Sequence, residues 1–227
     1  MLQVTRSDWN ELFPKAPQLY IDALVENPTP LQKVGITENR TRLAYTLANV
    51  EHECGGFTVK NLTENINYSA KRMAEVWDNR FSSAADVVAK YGYGLGWQKK
   101  AFDDIYGNRM GNRPNTSDGS RYIGRGAPQI TGRDGYKQVG KRCGLNLVET
   151  PELATLPENQ PAIIAAFYDW KQLEKYADEG NFVGFVKAWN GGTNGLADRK
   201  SAMKGNDPII ERLKNVTSAM PILDKLI

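Results

Sequence analysis

The sequence predicts an all-α protein assembled from many short helices. Apolar residues recur at three- and four-residue spacing in segment after segment, and capping residues or Pro and Gly breaks bracket those segments. No run alternates apolar and polar residues as a half-buried strand would. With 227 residues, 41% hydrophobic and 24% charged, the chain has the composition of an ordinary globular protein that can bury a substantial core, and it reads as one domain over 1–227.

The elements follow in order. Trp9, Leu12 and Phe13 suggest a short helix, and after a Pro interruption Leu19, Ile21, Ala23 and Leu24 suggest a second that closes before Pro28. The central element carries Leu43, Leu47, Val50 and Cys54 at helical spacing, with Ala44 and Ala48 widening the stripe. Thr37 is its expected N-cap and Gly55-Gly56 its expected stop. Ser69 caps a helix bearing Met73, Val76 and Trp77, and Ser82 or Ser83 begins another with Ala85, Val87 and Val88. Residues 91–120 are rich in Gly and Asn around one helical piece, Gln98 to Tyr106. Their composition suits a sugar-binding loop with ring stacking and a mobile surface excursion equally well.

In 121–140 the glycines Gly124, Gly126 and Gly132 permit close backbone approach, and Gln129 and Thr131 face one side if that segment is extended. Asn159 or Gln160 with Pro161 starts a strong helix through Ile163, Ile164, Phe167, Trp170 and Leu173. A short helix runs from Phe182 to Trp189, and Asp207-Pro208 opens a last one before a tail beyond Pro221.

Two carboxylates in the central stretch stand in different settings. At about 100° per residue Glu53 lies roughly 80° off the apolar stripe, on a flank with Thr46 and Asn49, in the last helical turn. Partial burial and the negative helix end both favour a retained proton, which a general acid needs. Glu64, eleven residues on, lies among Lys60, Asn61, Thr63, Asn65 and Asn67, a setting that predicts a solvated, ionised carboxylate. One acid and one base is the pairing of a glycosidase. From spacing alone, two surface glutamates are the more ordinary explanation.

Other chemistries lack their residues. His52-Glu53 would begin a zinc motif, but position 56 is Gly and His52 is the one histidine. Cys54 and Cys143 do not complete a zinc set with it, and His52 and Cys54 diverge on a helix by roughly 160°. No G-x-S-x-G elbow occurs. The two thiols read as free, with a bridge between them left open. No metal and no cofactor is therefore expected. The net charge of +3 is a weak basic bias compatible with an anionic wall polymer, and no basic cluster with interleaved aromatics points to nucleic acid. No apolar run approaches a membrane span, so no stable membrane insertion is expected. The first residues lack a secretory apolar region, which predicts synthesis in the cytoplasm without a signal peptide.

Four ordered segments carry a resemblance: VEHECGGF (50–57), ENINYS (64–69), YGNRMGN (106–112) with RYIGRGAPQITGRDGY (121–136), and AWNGGTNGLADR (188–199). Together they resemble the glycoside hydrolase family 19 domain as found in bacteriophage endolysins and related chitinases, over about 30–200. The resemblance implies a lysozyme-like, two-lobed helical fold with a substrate cleft between the lobes. It implies that Glu53 is the acid, Glu64 the base, and Thr131 the hydroxyl that holds the attacking water. It further implies that Gln129 and Asn190 contact sugar and that Arg199 supports the acid. An inverting mechanism follows, needing two carboxyls about 6.5 to 9.5 Å apart. The expected function is hydrolysis of β-1,4 bonds in peptidoglycan glycan strands by a monomeric endolysin. Such an enzyme acts on the cell wall in the periplasm and depends on a membrane-permeabilising phage protein to reach it. The alternatives are a chitinase and a non-catalytic wall-binding module.

Overall fold

The computed structural model describes residues 1–191 and 208–226. Helices dominate them, and their only β-type pairings are isolated bridges. The first two helices, α1 (Arg6–Leu12) and α2 (Gln18–Glu26), lie where the sequence places them, and a short α3 (Thr29–Lys33) follows that its Pro-rich sequence did not announce.

The central helix α4 spans Arg40–Cys54. Its N-cap is Asn39, whose side chain accepts a hydrogen bond from the Arg42 amide at 3.0 Å. The expected cap, Thr37, lies outside the helix, where its carbonyl accepts from the Leu2 amide instead. Gly55, at φ 58° and ψ 40°, supplies the left-handed stop. The small helices α5 (Ala70–Val76) and α6 (Ala84–Tyr91) are capped by Ser69 and Ser83, each accepting from the amide three residues on. Next come α7 (Trp97–Tyr106) and the single turn α8 (Asp118–Arg121).

The stretch between α7 and α8 is pinned. Asp118 is buried and accepts from the Arg113 amide and guanidinium at 2.9 to 3.0 Å, and the Arg113 charge holds its carboxyl below the ordinary range. Its neighbour Asn112 bonds the Tyr106 carbonyl and the Arg133 amide.

Helix α9 (Gly132–Cys143) was not legible, because Tyr136 and Val139 are almost its whole apolar face. Helix α10 (Gln160–Trp170) starts at the expected Pro161, and after α11 (Glu174–Asp178) comes α12 (Phe182–Trp189), with the predicted bounds. The last helix, α13 (Pro208–Leu223), continues through Pro221 where a tail was expected. Proline there removes one ladder bond, and burial of Ile222 and Leu223 holds the turn in place.

Two apolar cores define two lobes. The large one gathers Leu43, Leu47, Val50 and Cys54 of α4 with Tyr136 of α9, Ile163 and Phe167 of α10, and Leu223 of α13. The small one packs Met73, Val87, Phe102 and Ile105 from α5, α6 and α7 with Trp77 and Phe81 from the turn between α5 and α6. The chain crosses between them twice. Leu62 belongs to the large core while Ile66 and Tyr68 pack on the small one. On the return, Ile123 belongs to the small core, and Tyr122, Ala127 and Ile130 to the large.

The two crossings hydrogen-bond to each other, Glu64 N to Gly124 O at 2.8 Å and Gly126 N to Leu62 O at 2.9 Å. Beneath the return crossing, the fully buried Gln160 accepts from Ala127 N and donates to the Ala154 and Leu156 carbonyls. The flank of α4 bearing Thr46 and Asn49, expected to be partly buried, is wholly buried there, with α13 packed along α4.

Replacing Gln160 by Ala strips partners from two buried backbone groups and one part-buried one, and should cost about 3 kcal/mol. For a domain of this size that lowers Tm by on the order of 8 °C. Thermal unfolding checks it, and an unchanged Tm would show that the return crossing does not depend on this side chain.

Candidate active site

The sequence-predicted residues fall into two groups. Around the end of α4, the Glu53 side chain is 13% exposed and pairs with the guanidinium of Arg212, itself 2% exposed. That guanidinium also donates to Asn190 Oδ1 at 3.4 Å, at the C-cap of α12. The ends of α4 and α12 thus meet on one guanidinium of α13. This buried guanidinium is a partner that the position of Glu53 on its helix did not announce. Arg199, expected to support the acid, lies outside the described residues. Arg212 was missed because it reads as one polar position of an amphipathic helix, 159 positions from its partner.

The second group lies on the paired crossings. Glu64 is half-buried and held, not carried on a free solvated loop as its polar neighbours suggested. Its amide donates to Gly124 O, and its carboxylate accepts from Gly124 N at 3.0 Å. Gln129 has a left-handed φ of 54°, so the backbone turns there and the expected extended alternation with Thr131 does not occur. The turn sends the Gln129 Nε2 to Gly126 O at 3.0 Å, while the Thr131 hydroxyl donates to Gln129 O at 3.1 Å.

Gly124 is where this group converges. A Cβ built on it would meet Gln129 Oε1 at 2.6 Å and Glu64 Oε2 at 3.3 Å. The amide and the carboxylate therefore share the space that a side chain would fill. From below, Arg125 fixes the segment by donating to Arg121 O at 2.7 Å and to the buried Tyr136 hydroxyl at 2.9 Å, which in turn donates to Ile123 O.

Between the two groups, Cys54 ties down the turn after α4. Its thiol donates to Val50 O at 3.2 Å and its sulfur accepts from the Phe57 amide at 3.3 Å. Burial pushes that thiol up to about 12, so it is inert packing. Cys54 and Cys143 are both free, which closes the question of a bridge. Among the described residues no group of three His, Cys, Asp or Glu is placed to hold a metal ion. Chemically, the site offers one carboxylate beside a buried guanidinium and one beside an amide and a hydroxyl.

No protein-family model matches the chain. It is 29% identical over 202 residues to a Haemophilus influenzae protein described as a glycosyl hydrolase family 19 domain-containing protein, covering 87% of this chain and 92% of that one. Its fold is similar to that of chitinase C from Streptomyces griseus HUT6037, with a TM-score of 0.54 at 20% identity over 97% of this chain and 92% of the other. A mutant form of chitinase C gives the same score over 76% of its length. The likeness to these structures shows the helical, two-lobed fold.

Gly124→Ala tests the convergence. The clashing atoms are the ends of two side chains, so the fold can yield, but Glu64 and Gln129 must part. Reducing-sugar release from a glycan substrate should fall roughly 10- to 100-fold while Tm shifts by less than about 4 °C. Full activity in this variant would mean that the placement of these two groups is not needed.

Proposed function

We propose that the protein is a glycoside hydrolase that cleaves β-1,4 bonds of peptidoglycan glycan strands with inversion. Its similarity to a glycosyl hydrolase family 19 domain protein supports glycan hydrolysis. The observation that carries the proposal is the placement of two carboxylates in separate groups, Glu53 at the end of α4 and Glu64 on the paired crossings beside Gln129 and Thr131.

In this mechanism Glu53 gives its proton to the leaving glycosidic oxygen as the bond to the anomeric carbon breaks. Glu64 takes a proton from a water that attacks the opposite face. The Thr131 hydroxyl, whose hydrogen is already given to Gln129 O, offers lone pairs to that water. The Gln129 amide and Asn190 are the sugar contacts, and Asn190 also steadies Arg212. With no cofactor in the scheme, both proton transfers are made by side chains of this chain.

The biological setting we propose is a monomeric phage endolysin. It is made in the host cytoplasm and acts on the wall once a membrane-permeabilising phage protein has given it passage. Chitin hydrolysis is the second reading, favoured by the likeness in fold to chitinase C.

The test is digestion of purified sacculi and of chitin in parallel, with products read by mass spectrometry. The wild type should release hydrated, reducing ends from sacculi, the first-formed anomer being α. Glu53→Gln and Glu64→Gln should each lose at least about 100-fold in rate. Predominantly anhydro ends, or a Glu64→Gln variant of normal activity, would mean that Glu53 works without a base. Release from chitin alone would select the chitinase.

A further inference from the structure

Outside the candidate site, the C-terminal half of α9 and the segment that turns back along it enclose a groove of about 390 Å³. The half-buried Leu145 and Val148 supply its accessible apolar lining over the buried Tyr136 and Leu147, while Lys137, Lys141 and Asn146 supply polar groups. Gly140 lets the segment approach, since a Cβ there would meet Leu145 O at 2.6 Å.

The charges around this groove are uneven. Arg133 lies 3.7 Å from Asp118, Arg142 2.8 Å from Asp169, and Arg125 3.8 Å from Glu152. Lys137 and Lys141 are exposed, and among the described residues neither has a carboxylate within salt-bridge distance. Arg121 closes one end, donating to the Val148 and Glu149 carbonyls. The exposed Glu149 is the acidic residue next to that end, and Asp134 points the other way, against Gly111.

Position along the helix gives this groove its meaning. Helix α9 begins at Thr131, in the candidate site, and at about 1.5 Å per residue Lys137 and Lys141 lie roughly 9 and 15 Å along its axis. The two ammonium groups project from the same face, about one turn apart. We infer that this groove binds the carboxylate-bearing stem peptide of peptidoglycan while the glycan it hangs from occupies the site.

The choice of ligand rests on the proposed function, since chitin carries no such peptide. An extended four-residue peptide spans about 13 Å, so from Thr131 it passes Lys137 and comes within reach of the Lys141 side chain. Carboxylates on its neighbouring or alternate residues fall about 4 to 7 Å apart, the spacing of the two lysines. Their methyl and methylene groups meet the half-buried Leu145 and Val148, and the exposed Asn146 offers an amide to the peptide backbone. Lys137 and Lys141 are then specificity-determining residues that favour peptide-bearing strands.

The experiment uses the full chain and its Lys137→Ser/Lys141→Ser double variant. The first probe is the stem tetrapeptide released from sacculi by an amidase, titrated with its carboxylates free and with them amidated. The wild type should bind the free acid, and either the double substitution or amidation should weaken binding roughly two- to thirtyfold, as expected for two exposed charge pairs. The second measurement compares kcat/KM on intact sacculi and on amidase-stripped strands, where the variant should lose about tenfold on the first and keep its rate on the second. Equal loss on both, equal binding by the variant, or no binding by the wild type would overturn the inference. A wild type that binds the peptide yet cleaves neither preparation would instead sink the glycan hydrolysis and leave the groove standing.

Discussion

The structure turns on the pairing of two chain crossings. Residues 62–64 leave the large lobe as residues 124–126 return to it, and each run supplies backbone partners to the other. The pairing satisfies polar groups that would otherwise be stranded between two apolar cores. It also decides where Glu64 points, because the same glycine accepts from its amide and donates to its carboxylate. The remaining features of that group follow: Gly124 must lack a side chain, Gln129 must turn left-handed, and Arg125 and Gln160 must hold the return run from beneath.

The other carboxylate obeys a different constraint, that of a charge taken out of water. Arg212 is almost wholly buried, and a buried guanidinium requires an acidic partner. Glu53 supplies that partner from the end of α4 while α12 contributes Asn190, so the C-terminal helix is structurally part of the site. The large lobe thus presents a carboxylate fixed by an ion pair, and the junction presents one fixed by backbone amides and shape. The two carboxylates therefore stand in unequal surroundings.

Much of the fold was legible because it is written locally. Ser69 and Ser83 cap the helices they were expected to cap, Gly55 stops α4, and α12 has the predicted limits. The failures share a cause, which is that the deciding partner is remote or the signal is weak. Asn39 outcompetes Thr37 as a cap by two positions, a difference that composition does not resolve. Glu64 sits among polar residues yet is held, because its partner lies 60 positions away. The same distance blindness hides Arg212. In α9, a helix start follows a left-handed glutamine and a glycine, and few apolar residues repeat after it. Thus Glu53, Glu64, Gln129, Thr131 and Asn190 could be named from sequence and a resemblance, but the groups that restrain them could not.

The double crossing also makes the small lobe an insertion within the large one. Roughly 60 residues leave and return through neighbouring hydrogen bonds, so the large core can form only when that loop is closed. Closing a flexible loop of such length costs on the order of 4 kcal/mol of chain entropy. The small lobe has its own apolar core, built from helices close together in sequence, and its assembly draws residues 66 and 123 toward each other. Early collapse of this lobe would therefore shorten the loop before the crossings pair, so that the order of folding is inscribed in the topology, from the insertion outward.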